Sequence, residues 1–146
     1  MTSRLKGIAA AVAIVGAVVL TQLSAALPAS ASVSCYGDYC SGRDPQSTGC
    51  SADAYSFASA RIPGTSSFIE LRWSPTCKSE WARVPASWGK SYPNNPRVVQ
   101  RSTGYSQVGV VASNSSYSWT RMIYSPRLCV YAAWIGPPGS VATSCV

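Results

Sequence analysis

The sequence predicts an all-β domain, a small disulfide-stapled sandwich or barrel of short strands. Three observations carry this expectation. From Phe68 to Trp73 the residues alternate, Phe68, Glu70 and Arg72 against Ile69, Leu71 and Trp73, which is the side-chain period of a half-buried strand. Short apolar or alternating runs recur at spacings of about ten residues, parted by Gly, Ser, Asn and Pro, as in sandwiches and small barrels. The six cysteines, Cys35, Cys40, Cys50, Cys77, Cys129 and Cys145, are an even set, which in an exported chain reads as three disulfides.

The first segment of the chain reads as a secretory leader. Arg4 and Lys6 precede an uncharged run, Gly7 to Leu20, and Ala29-Ser30-Ala31 supplies the small-x-small pattern of a cleavage site. The run is shorter than the roughly 20 residues a spanning helix needs, so a signal peptide is favoured over an anchor. Residues 1–31 are therefore assigned to the leader and 32–146 to a single extracellular domain, with attachment at the cell surface open. The leader holds two of the 12 basic residues and none of the five acidic ones, which leaves the domain a formal charge of +5. All fifteen Phe, Trp and Tyr residues lie in the domain, which at this length gains from covalent staples.

The segment from Cys35 to Asp53, rich in Gly, Asp, Ser and Pro with three cysteines, reads as a stapled loop. Ala54 to Ile62 is a strand leading to the turn at Pro63-Gly64. The Phe68 strand follows, with Ile69, Leu71 and Trp73 facing the core, and ends at Ser74-Pro75, where proline restricts the backbone. Cys77 to Val84 returns as its hairpin partner, with Trp81 a second core residue and Arg72 and Arg83 reaching solvent. Pro85 to Pro96 has loop composition around Trp88. Arg97–Arg101, Val108–Ala112, Ser118–Tyr124 and Cys129–Trp134 complete the strands. Trp73-Ser-Pro-Thr-Cys77 is echoed by Tyr124-Ser-Pro-Arg-Leu-Cys129, a repeat too faint to carry a function.

Among the cysteines, the split between four before residue 80 and two near the C-terminus favours Cys129 with Cys145, a closure worth about 3 kcal/mol in the chain-entropy model. Pairing among Cys35, Cys40, Cys50 and Cys77 stays open, although a bond from Cys77 to an upstream cysteine would fasten the hairpin to the N-terminal segment. A metal site is disfavoured because the chain has no Cys-x-x-Cys pair and no histidine. Asp38, Asp44 and Asp53 lack EF-hand spacing, so turn and capping bonds are expected of Asp44 and Asp53.

The motifs CSGRDPQSTGC, SADAYSFASARIPG and IELRWSPTCKSEWARV resemble the domain of unknown function 2690 family of actinobacterial exported proteins. The resemblance rests on Cys40, Gly42, Asp44 and Pro45, on Asp53 and Ala54, and on Glu70, Leu71, Arg72, Trp73, Ser74, Cys77, Trp81, Ala82 and Arg83. It implies an exported location and kinship of fold. Some relatives carry similar domains outside the membrane on helix-turn-helix regulators, a part this sequence lacks, so a sensing role does not carry over.

The absence of histidine excludes Ser-His-Asp and Cys-His mechanisms and the commonest catalytic zinc sites. Glu70 and Glu80 are the candidates for a glycosidase-type carboxylate pair, although Glu70 beside Arg72 reads more simply as an ion pair. Lys78 and Lys90 have no Ser-Lys motif around them. The reading favoured is a non-enzymatic extracellular binding module, with loop aromatics Trp88, Tyr92, Tyr105 and Tyr117. Its expected partner is an anionic cell-wall or membrane-surface polymer met by Arg97, Arg101, Arg121 and Arg127. A small glycan-active hydrolase and a secreted enzyme inhibitor are the alternatives. No cofactor and no nucleic-acid partner is expected, and the chain is expected to be a monomer.

Overall fold

Strand β2 (Phe68–Ser74) and strand β3 (Ser79–Pro85) form the antiparallel hairpin on which the sheets are laid. The computed structural model describes residues 32–146, and the signal-peptide assignment lies outside them. Strand β1 (Tyr55–Arg61) pairs with β2 through the predicted turn, where Gly64 takes a φ of 70° that suits glycine. The other edge of β3 carries β7 (Tyr117–Trp119), which in turn pairs with β6 (Ala112–Ser113). A second sheet runs in the order β5 (Ser106–Val108), β4 (Pro96–Gln100), β8 (Val130–Trp134), β9 (Val141–Ala142). All pairs are antiparallel.

The sheets face each other across one apolar cluster. Ile69, Leu71, Ala82 and Val84 from the first sheet meet Val98, Val130, Ala132 and Trp134 from the second, all fully or nearly fully buried. This is the sandwich the sequence predicts. A second cluster lies on the opposite face of the first sheet, where Trp81, Trp119 and Met122 pack under Cys35, Cys40, Cys50 and Cys77. The disulfides are Cys35–Cys40, Cys50–Cys77 and Cys129–Cys145, so Cys77 does fasten the hairpin to the N-terminal loop. These bonds are compatible with an extracellular protein.

Several expectations are corrected. Trp81 is buried, but its register partner is Arg72, whereas Trp73 is opposite Glu80. Antiparallel partners share a face, so the two tryptophans occupy opposite sides of the sheet. Trp73 is only half-buried. Arg72 and Arg83 are half-buried under the stapled loop and do not stand free in solvent. The Pro85–Pro96 segment holds a helix, α1 (Ala86–Ser91). Its Trp88 and Tyr92 stack on each other and meet Trp134 edge-on, so they pack on the core from a helix and its end, where a loop was expected. Gly89 makes that docking possible, because a Cβ there would sit 2.1 Å from Ser118 Cβ. The expected strand Val108–Ala112 divides between β5 and β6, with the chain leaving one sheet for the other. The faint Ser-Pro echo has no structural counterpart: the first segment is the turn between β2 and β3, while the second runs from an isolated bridge at Ile123 to β8 without pairing as a strand.

These positions predict unequal costs of truncation. Leu71→Ala, at a fully buried site, should cost about 3 kcal/mol in urea unfolding by lost transfer energy and a cavity. Trp73→Ala, at a site open to solvent on one side, should cost less despite the larger side chain.

Candidate functional site

The two faces of the β2–β3 hairpin carry two recesses of unlike chemistry. On the outer face the loop of residues 35–53 stands over the sheet and leaves a cleft of about 370 Å³. Its charged lining is Arg72 and Arg83, and its aromatic lining is Trp81, Tyr117 and Trp119. Strand alternation places Arg72, Trp81, Arg83 and Trp119 on this face, since Arg72 pairs with Trp81 and Arg83 with Trp119.

Arg83 is held by Glu70, with Nε to Oε2 at 2.6 Å and Nη2 to the same oxygen at 2.5 Å, and its guanidinium lies 4.0 Å from the Tyr117 ring centre. Arg72 has only neutral partners, donating to Ser56 Oγ at 2.9 Å and to the Ala54 carbonyl. Burial first, and then the charge of Arg83, push the Arg72 guanidinium below its ordinary pKa, with Glu70 only partly opposing. The carboxylates nearby are already engaged. Glu70 serves Arg83, while Asp44 accepts from Trp119 Nε1 at 2.9 Å and from the Gln46 amide at 2.8 Å. The cleft therefore holds Arg72, which has no carboxylate bonded to it, beside the Arg83–Glu70 pair over an indole floor.

The inner face opens at one end of the sandwich into a pocket of about 450 Å³ lined by Trp73, Phe57, Glu80, Pro126, Arg127 and Leu128, among others. Glu80 is 7% exposed, and its Oε2 has no hydrogen-bond partner. Its main chain is clamped by Ile123 in both directions, at 2.9 and 2.8 Å. Burial pushes the Glu80 carboxyl up from 4.5 to about 8, opposed only by a hydrogen bond from its own backbone. Near neutral pH the group is mostly the neutral acid.

The candidates named from sequence are dispersed. Glu70 and Glu80 project from opposite faces of one sheet, so together they do not form the paired-carboxylate arrangement of a glycosidase. Asp53 accepts from Ser74 Oγ at 2.6 Å and Thr76 N at 2.8 Å, Asp44 closes its own turn, and Asp38 accepts from Ser41 Oγ at 3.3 Å. Lys78 and Lys90 are exposed, the first in the β2–β3 turn and the second on α1. Of the four arginines expected to act together, Arg97 lies on β4 and Arg101 just beyond it, stacked 5.6 Å from the Tyr131 ring centre. Arg121 donates to the Gly42 carbonyl and Arg127 lines the inner pocket. The sulfurs of Cys35, Cys40, Cys50 and Cys77 lie within 4.8 Å of one another, engaged as the two disulfides.

Residues 38–133 match the family described as protein of unknown function (DUF2690). The chain belongs to this family. The match extends the resemblance read from the N-terminal motifs well past Val84, into β8. No curated protein and no solved structure matches. Every residue lining the outer cleft falls inside the DUF2690 span, as does the inner pocket apart from Val146.

A pH dependence of stability follows from Glu80. Its folded pKa lies above the unfolded value, so its contribution is complete below pH 4.5 and is lost as pH rises towards about 8. Unfolding free energy should fall across that window, with a limiting slope of about 1.4 kcal/mol per pH unit. Asp53 acts oppositely in acid: burial opposes, but hydrogen bonds from Ser74 and Thr76 hold its carboxyl below the ordinary value, so stability also drops as that group protonates. Urea titrations at several pH values should give a maximum on the acid side of neutrality, and Glu80→Gln should flatten the decline above it.

Proposed function

We propose that the protein is an exported, non-enzymatic binding module whose outer cleft takes an anionic group of a cell-envelope polymer. The observation that carries this reading is the unneutralised Arg72 beside Arg83. Two guanidinium groups held side by side and half-buried repel each other, and removing them from water is costly. A carboxylate or phosphate seated between them would relieve both terms at once. Guanidinium forks suit such groups through paired, charge-assisted hydrogen bonds. The indole floor adds apolar surface against which the polymer's sugar or alkyl carbons can lie.

The net positive charge of the domain supports capture from a distance, because long-range attraction raises encounter rates even where it adds little affinity. Export is supported by the leader-like N-terminal sequence and by the three disulfides. A site on the outer face of a sheet, under a loop fixed by a disulfide, also needs no conformational change to receive a chain end or a bend of polymer.

Long-chain polyphosphate and polygalacturonate serve as probes. Both should bind more weakly as salt rises, since exposed charge is screened over about 8 Å at physiological ionic strength. Arg72→Ala should weaken binding about tenfold or more, the loss of one charge-assisted contact, while the double variant Arg97→Ala, Arg101→Ala should stay within about twofold. Equal losses from the two variants would reduce the reading to diffuse surface charge. Soluble sugar released from isolated envelopes would replace it with catalysis.

A further inference from the structure

The inner pocket poses a chemical problem that the outer cleft does not solve. Glu80, a residue 7% exposed with an unpartnered side-chain oxygen, lines the open end of the sandwich. Beside it the first sheet exposes aromatic surface. Tyr55 is the register partner of Trp73, and the β1–β2 register shifts between Ser56 and Ala58, so Phe57 is the extra residue of a bulge. Bulges re-aim side chains. Here Phe57 stacks with Tyr55 at 5.9 Å and 21°, and the two rings stay 46% and 47% exposed. Trp73 and Phe57 then line the pocket with Glu80, while Pro126 and Leu128 of the segment before β8 form the opposite wall.

We propose that this pocket binds an organic cation, an ammonium group carrying an apolar or aromatic substituent. The ammonium pairs with the Glu80 carboxyl and supplies the charge that lets it ionise in its buried setting. The aromatic rings favour a cation by their quadrupoles, and the substituent covers Trp73, Phe57 and Leu128. An anion is excluded from the inner part of the pocket because it meets ring faces and a potential carboxylate. A neutral alcohol can satisfy the hydrogen bond but brings no charge. Arg127 does not cancel the site, since it is exposed at the rim, where its charge is screened.

Binding is coupled to proton release. The charged or titratable groups around Glu80 are Arg127 and the main chain at Val146 on the pocket wall, Lys78 and Asp53 at the hairpin turn, Tyr124 after the bridge, and Tyr55 beyond Phe57. The chain has no histidine, the one side-chain type whose ordinary pKa falls between pH 5 and 8. A pH dependence of binding that Glu80→Gln removes therefore assigns the released proton to Glu80.

Benzylammonium, benzyl alcohol and benzoate test the site on the folded, disulfide-bonded protein, with the Trp73 indole N–H followed by NMR. A lysine-like amine keeps its charge below about pH 9, so the probe itself does not titrate. Benzylammonium should shift the Trp73 signal, and its affinity should rise by up to about tenfold per pH unit between pH 5.5 and 7.5. Benzyl alcohol and benzoate should bind at least tenfold more weakly at pH 7.5. Glu80→Gln should remove the pH dependence and the preference for the cation. Phe57→Ala, at an exposed site, should weaken benzylammonium with the fold intact, which keeps the test decisive if Glu80→Gln does not fold. A Trp73 signal unmoved by benzylammonium, equal binding of benzyl alcohol, or affinity independent of pH would each overturn the proposal.

Discussion

The register of β2 against β3 is the constraint on which everything else in this domain depends. Glu70 faces Arg83, Arg72 faces Trp81, and Trp73 faces Glu80. Because side chains alternate with a period of two, a slip of one residue would carry Ile69, Leu71, Ala82 and Val84 out of the core and bring the arginines in. The tight turn from Pro75 to Lys78 fixes the register locally, with Lys78 N donating to the Ser74 carbonyl at 2.8 Å and Cys77 N to Ser74 Oγ at 3.1 Å. Asp53 ties the same serine to the end of the stapled loop. A small set of hydrogen bonds around Ser74, itself fully buried, thus decides which face of the sheet is greasy and which is charged.

The disulfides matter because the outer face cannot cover itself. The outer face sets two guanidiniums among its indoles, so its apolar area is interrupted, and the loop of residues 35–53 forms no strand of its own. Cys50–Cys77, with a separation of 27 residues, supplies what packing does not. In the chain-entropy model a loop of that length is worth roughly 3 to 4 kcal/mol. Cys35–Cys40 spans five residues and closes a much smaller loop, so it shapes the segment more than it anchors it. The buried sulfurs also give Trp81 and Trp119 an apolar roof, and the indole N–H of Trp119 finds Asp44 on that loop. Cleft and staple are therefore one construction.

The architecture was legible because it depends on pattern. Alternation at Phe68–Trp73, the Pro63-Gly64 turn and spaced apolar runs lead directly to paired strands, and Cys129 meets Cys145 as their positions suggest. The site was not legible, for reasons that can be named. Reading β2 and β3 separately made each tryptophan a core residue, whereas only the pairing reveals that Trp73 and Trp81 lie on opposite faces. Glu80 carried a signal in its parity, since it alternates in step with Ala82 and Val84, both core residues. A glutamate at a core position of a strand is an anomaly, and that was readable without a structure. The separation of Arg97, Arg101, Arg121 and Arg127 was not, because it follows from the chain passing between sheets after β5 and returning through β7. Helix α1 escaped notice because Pro, Gly and Ser dominate its surroundings, and its stability comes from docking Trp88 and Tyr92 on Trp134 more than from helix propensity.

Two of the least comfortable charges in the described residues sit on the same hairpin. Arg72 and Glu80 belong to adjacent strands and opposite faces, and each violates the rule that a shielded charge should have a counter-charge. Arg72 has neutral acceptors and a like-charged neighbour, while Glu80 has an orphaned oxygen in an apolar setting. Sequences tend to break local rules where function requires it and to compensate elsewhere. The compensation here is visible in the same strands: five consecutive register pairs, a flanking strand on each side, and a disulfide at the turn. A hairpin secured this firmly can hold an unneutralised guanidinium on one side and an unpartnered carboxyl on the other. The two strains are also insulated from each other, because the hydrogen-bonded sheet lies between them. A ligand that relieves one need not disturb the other, and the domain can present two recesses of opposite preference within the thickness of a single sheet.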